Sequence, residues 1–189
     1  MKKITETTSN SESSCHRRSW LLATGFGTGF FPFAPGTWGS FAALVAWMGF
    51  FILGLMLDLR KTTAGFVFLG PLLLWWLGSQ SIKNIQSEFD NQDPSYIVVD
   101  EWVGMWIALM PLASVIARDP FASWQEQLLR CAIPFTLFRI LDIWKPGPIR
   151  RVQKIGGASG IMMDDVLAGL GAALLTRPLI NLAHRFFIV

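Results

Sequence analysis

Three stretches of this chain run uncharged for nearly the thickness of a bilayer: residues 41–57, 64–81 and 102–117. A helix crossing the hydrocarbon core needs about 20 mostly apolar residues, with about 17 as the lower limit, and each run reaches that once its flanks are added. Backbone groups in lipid must bond within their own segment, so such runs become helices. The composition agrees, with 52% hydrophobic residues, nine Trp and only 15% charged residues, outside the range of a soluble domain. The expected fold class is all-α, a polytopic membrane helical bundle.

Two weaker runs complete the bundle. Residues 128–144 hold Arg139 and Asp142 near their end, and residues 163–183 hold Arg177 and Pro178. The chain therefore reads as about five transmembrane helices, near 40–57, 64–81, 98–117, 128–144 and 163–183. Residues 20–33 are shorter and broken by Gly25, Gly27 and Gly29, which suits a re-entrant or interfacial segment. Residues 1–19 form a polar tail expected to be disordered, leaving 20–189 as one membrane-embedded domain. Arg17 and Arg18 ahead of an apolar stretch suggest a twin-arginine export signal, but no small-residue cleavage site follows, and anchoring to acidic lipid explains them better. Ile82, Ile85 and Phe89 recur at helical spacing among polar neighbours, predicting a short helix on the membrane surface.

Charge orients the bundle. With loops alternating in side, nine basic residues (Lys2, Lys3, Arg17, Arg18, Lys83, Lys145, Arg150, Arg151 and Lys154) fall on one face, six on the other, and Arg139 stays inside a helix. Basic residues favour the cytoplasm, so the first face is expected to be cytoplasmic. The same threading gathers the unusual polar residues there. Thr37 and Ser40 open the first span, Asp100 and Glu101 the third, and Asp164 and Asp165 the fifth; Arg139, Asp142 and Lys145 close the fourth.

Each element has a bland explanation. Acids at a helix start stabilise exposed amides and the positive dipole end, and Thr37 after Pro35 and Gly36 is a natural cap. Arg139 and Asp142 stand three residues apart and satisfy each other in an internal ion pair, while Lys145 snorkels. Together they suggest a specific chemistry. Magnesium takes oxygen ligands, typically one or two carboxylates plus substrate phosphate, and Lys and Arg bind the remaining phosphate oxygens. A dication also lets crowded acids stay ionised. Adjacent helical residues point about 100° apart, so one direct ligand is expected from each acidic pair. Gly104 and the run "GGASG" at 156–160 let backbone or a lipid headgroup approach closely, and the latter is a candidate phosphate loop or a plain turn.

Other chemistries fall away. His16 and His184 lie at opposite chain ends, against zinc or histidine catalysis, and both are expected at the surface. Cys131 sits in an apolar run and reads as packing, and with Cys15 it makes no disulfide framework. No P-loop is present, and the net charge of +3 is too small and dispersed to argue for nucleic acid. Nothing in the sequence specifies an oligomeric state.

The motifs "PGTWGS", "DEWVGMW", "FRILDIWKPGPIR" and "GIMMDDVLAG", in that order, resemble the phosphatidylglycerophosphatase A family over about residues 21–176. The resemblance implies a magnesium-dependent phosphatase of the bacterial inner membrane, its site facing the cytoplasm, that converts phosphatidylglycerophosphate to phosphatidylglycerol. It implies catalytic or Mg2+-binding roles for Asp100, Glu101, Asp142, Asp164 and Asp165, and substrate binding by Thr37, Ser40, Arg139 and Lys145; outside that mapping, Arg150 is expected on substrate, or with Arg151 on neighbouring anionic lipid. One departure stands: two residues rather than one separate the glycine pair from "GIM", which alters the loop and leaves the acids in place. Both a water activated at the metal and a direct carboxylate nucleophile remain open, the first favoured because no acyl-phosphate signature is present.

Two rival classes use similar residues. An ion-coupled transporter or channel also places acids among glycine-broken helices, but its site lies at the midplane and its chain carries inverted repeats, neither of which is seen. A phosphatidyl-transferring synthase would carry a spaced aspartate signature beginning Asp-Gly, which is absent.

Overall fold

The computed structural model describes residues 14–89, 94–120, 122–152 and 157–187. In chain order the elements are α1 (14–23), a 3-10 turn Thr28–Phe30, α2 (Pro35–Met56), α3 (Arg60–Ile85), a 3-10 turn Gln86–Glu88, α4 (Val99–Arg118), α5 (Trp124–Trp144), α6 (Gly147–Val152) and α7 (Gly157–Phe187). No strand occurs among the described residues. Segments within α2, α3, α4 and α7 are long and apolar enough to cross a membrane. α5 is as long, at 21 residues, but carries Glu126 and Arg130 at one end and Arg139 and Asp142 at the other. The expected count of about five spans corresponds to these five long helices, four of which are long and apolar enough to cross a membrane.

α4 is the enclosed centre of the bundle. Twelve of its residues are buried, from Val99 to Ile116, and α2, α3, α5 and α7 pack around it. A helix apolar on all sides belongs in such a position. One core cluster joins Trp47 and Phe51 of α2 to Trp106, Leu109 and Leu112 of α4, Phe138 of α5 and Ala168 and Ala172 of α7. The Trp106 indole N–H donates to the Ala43 carbonyl at 3.0 Å, so its one polar atom is satisfied inside the core. α4 and α7 meet through glycine. A Cβ on Gly169 would stand 2.3 Å from the Gly104 carbonyl oxygen, and one on Gly104 would stand 2.6 Å from the Asp165 carbonyl oxygen. The backbones therefore touch, and Asp165 is drawn toward Asp100, one turn before Gly104. Of the two partners open to Gly104, a backbone or a headgroup, the backbone of α7 is the one present.

Several boundaries differ from the sequence reading. The polar tail lies mostly outside the described residues, but its last part, 14–19, is helical. Ser19 is buried and accepts a hydrogen bond from the Asn84 amide at 3.1 Å, so α1 is tied to the end of α3. The predicted surface helix at 82–89 is instead the end of α3 and a 3-10 turn. Ile82 and Ile85 are wholly buried against Ala23, Ile97, Val99 and Met162, because α1 covers what hydropathy left facing lipid headgroups. α2 begins at Pro35 rather than at Ser40, and α7 at Gly157 rather than at 163. Proline at the first helical position suits the start of α2, where no amide partner is needed.

At the end of the bundle away from these starts, buried Arg130 binds the Asp119 carboxylate at 3.0 Å and Glu126, and Glu126 pairs with His184 at 2.6 Å. This knot joins the end of α4, the start of α5 and the end of α7. His184, expected at the surface, is only partly exposed there.

The glycine contact makes a stability prediction. Gly169→Val should lower stability by about 1–3 kcal/mol or more through overpacking, while Gly49→Ala, whose Cβ would meet nothing within 4 Å, should be neutral or slightly stabilising. Thermal unfolding in detergent measures both, and equal melting temperatures for the two variants would contradict the packing described.

Candidate active site

The starts of α2, α4 and α7 and the end of α5 come together at one end of the bundle, and they bring the charged motifs with them. Asp100 and Glu101 occupy the first turn of α4, where the positive end of the helix dipole favours them. Neither caps the helix, since Val98 is the N-cap and no side chain bonds there. Asp164 and Asp165 are not capping residues either, because α7 starts two turns earlier and has no acid in its first turn. The bland explanation by capping thus fails for the second pair. Part of the "GGASG" run, from Gly157, is helix rather than a phosphate loop; Gly156 lies outside the described residues.

Asp100, Glu101 and Asp165 each offer a carboxylate oxygen, and the three oxygens lie within 4.8 Å of one another. Asp100 and Asp165 are buried. Asp142 stands within hydrogen-bonding reach of Asp165 and also pairs with Arg139 at 2.9 Å, so the expected pairing within α5 does form. From α7, Asp165 joins the group while Asp164 turns to Lys145; from α4, both acids converge. Gly36 is the reason room exists: a Cβ there would lie 2.2 Å from Glu101 Oε1. Glu101 Oε2 is buried with no hydrogen-bond partner among the described residues.

Two cations face these acids. Arg139 donates from Nη1 to Ser40 Oγ at 3.2 Å, and Ser40 Oγ in turn donates to the Gly36 carbonyl at 2.8 Å. Ser40, expected to bind substrate, is wholly buried within α2 and acts on the site by holding Arg139. Lys145 ends α5 in the left-handed conformation, with φ 44°, which turns its side chain to Asp164 at 2.5 Å. Burial works against its charge, but the bond to Asp164 and the nearby Asp142 and Asp165 outweigh burial and raise its pKa above the ordinary lysine value. Its ammonium is held by a buried carboxylate rather than reaching out as a snorkelling tip. Thr37 lies half-buried in the first turn of α2, whose N-cap is Ala34, so it is not the cap. Arg150 is exposed on α6, outside the cluster.

Comparison with known proteins places these motifs. A match to the phosphatidylglycerophosphatase A family spans residues 21–180. An Escherichia coli phosphatidylglycerophosphatase A is 40% identical over 81% of this chain and 78% of its own length. A Haemophilus influenzae phosphatidylglycerophosphatase A is 37% identical over 82% of this chain and 83% of its own. A Bacteroides thetaiotaomicron protein, provisionally named a phosphatidylinositol-3-phosphatase, is 40% identical over 82% of this chain and 89% of its own. No solved structure matches the chain.

Breaking the Lys145–Asp164 pair from one side leaves an uncompensated buried carboxylate. Lys145→Met should destabilise the protein by about 3–5 kcal/mol, and adding Asp164→Leu should recover most of the loss. The melting temperatures of the two variants decide it, since a double variant no more stable than the single one would show that the pair does not compensate the buried charge.

Proposed function

The chain belongs to the phosphatidylglycerophosphatase A family, and on that premise we propose that it hydrolyses the terminal phosphomonoester of phosphatidylglycerophosphate, giving phosphatidylglycerol and phosphate, with Mg2+ as its cofactor. The family is one of phosphatases, and the apolar helices and bacterial relatives make this a bacterial membrane protein. We assign it to the inner membrane with the site at the cytoplasmic face, following the excess of basic residues on that side. The observation that carries the proposal is the three-acid group of Asp100, Glu101 and Asp165, flanked by Arg139 and Lys145.

The donor set fits a hard divalent cation. All three ligand atoms are carboxylate oxygens, and the orphaned Glu101 Oε2 calls for a partner in a buried position. Among the described residues five carboxyl groups gather here against two cationic side chains, an imbalance that low dielectric opposes unless positive charge is added. When bound by these acids, Mg2+ would supply an acidified water and neutralise charge on the phosphoryl oxygens.

The chain's own groups account for the rest. Arg139 and Lys145 hold the phosphoryl oxygens and stabilise the charge spread over them as the bond breaks. Ser40 fixes the guanidinium, and Asp142 orients both Arg139 and Asp165. A water attacks phosphorus in line and gives its proton to a carboxylate of the group. The phosphorus–oxygen bond to the glycerol carbon's oxygen breaks, and that oxygen takes up the proton returned by the carboxylic acid, leaving as the hydroxyl of phosphatidylglycerol while the carboxylate is restored.

The test is phosphate release by purified protein from phosphatidylglycerophosphate and phosphatidylinositol 3-phosphate, with Mg2+ or with a chelator. Release is expected from the first lipid, dependent on Mg2+. Asp100→Asn, Glu101→Gln and Asp165→Asn should each lower turnover by about two to three orders of magnitude. Asp142→Asn should cost about 10- to 100-fold, as expected of a group that orients ligands. Equal release with chelator would overturn the metal, and preference for the inositol lipid would overturn the substrate.

A further inference from the structure

Exposed apolar side chains on membrane helices are ordinarily covered by lipid and mean little singly. One set is distinguished by its continuity and its place. Phe31 stacks on Trp38 with ring centroids 4.9 Å apart, Trp38 meets Phe41 edge-on at 6.2 Å, and Phe41 meets Phe135 of α5 edge-on at 6.5 Å. The four rings form a ladder from the segment before α2 to the outer edge of the seam between α2 and α5. Trp38 is 44% and Phe41 48% exposed, so their outer faces stay open.

The ladder runs into the site. Phe41 follows Ser40, Phe135 lies one turn before Arg139, and the Arg139–Ser40 hydrogen bond closes the same seam at its head. Arg139 Nε is buried there with no hydrogen-bond partner among the described residues. A molecule lying against the rings therefore places its apolar part in the bilayer and its polar end at the head of the seam, beside the Arg139 guanidinium and the carboxylates. An anionic phosphomonoester carried on acyl chains meets both ends. A second protein helix would cover the rings and offer nothing to the guanidinium.

We propose that this ladder on the α2–α5 seam is the acyl-chain site of the enzyme, along which the lipid substrate enters sideways from the bilayer. The inference rests on the lipid-phosphatase reading above. It makes Trp38 and Phe41 specificity residues that act through binding of the chains and not through the chemistry.

The experiment compares diacyl phosphatidylglycerophosphate in mixed micelles with its water-soluble deacylated analogue, for wild type, Trp38→Ala, Phe41→Ala, Phe41→Leu and Phe68→Ala. Phe68 is an equally lipid-facing residue on α3, 61% exposed. Phe41→Ala and Trp38→Ala should each raise KM for the diacyl substrate about tenfold with kcat within about twofold, and leave the deacylated analogue unaffected. Phe41→Leu should recover most of the loss, and Phe68→Ala should match wild type. The proposal is overturned if Phe41→Ala behaves like Phe68→Ala, or if both substrates are impaired alike. Absence of phosphate release by wild type from either substrate would instead overturn the functional reading itself.

Discussion

Like charges crowded out of water are the constraint around which this bundle is built. Asp100, Asp142, Asp164 and Asp165 are all buried at one end of a membrane protein, with Glu101 beside them and, among the described residues, Arg139 and Lys145 paired to them. Such an arrangement is costly in a low dielectric, where an unpaired charge is either neutralised or compensated. Two of the acids are compensated by ion pairs, Asp142 by Arg139 and Asp164 by Lys145. Asp100, Glu101 and Asp165 face one another, their carboxylate oxygens within 4.8 Å, and that concentration of acid is what a divalent cation and a phosphate ester would together use.

The geometry of that group depends on contacts that carry no charge. Asp165 reaches the α4 acids because Gly104 and Gly169 let α4 and α7 touch backbone to backbone, and Glu101 has room because Gly36 has no side chain. The same close packing makes α4 the buried axis on which the other helices hang. Ser40, inside α2, then locks Arg139 of α5 in place. Small residues and one hydroxyl thus set the positions of the groups proposed to do the chemistry.

Much of this was legible from the amino-acid order. Hydropathy with loop alternation put Asp100, Glu101, Asp142, Asp164 and Asp165 at one face, because charge in a membrane helix is tolerated only near its ends or in a polar site. What hydropathy does not register is tertiary cover and cross-helix register. Ile82 and Ile85 look amphipathic until α1 packs over them, and Ser40 looks like a terminal residue until the helix is seen to begin at Pro35. Which members of the acidic pairs converge was equally hidden, since 100° of helical rotation does not foresee that a glycine on another helix makes space for Glu101 beside Asp100. The motif "PGTWGS" contains that glycine, but its partner on α4 is set by the packing of the two helices.

Manganese(II) is a paramagnetic stand-in for Mg2+ at oxygen sites, and its binding to the detergent-purified protein can be followed by electron paramagnetic resonance titration. One high-affinity site per chain is predicted, displaced by Mg2+ and lost in both Asp100→Asn and Asp165→Asn. Manganese bound equally well by both variants and by the unaltered chain would contradict a shared cation between α4 and α7.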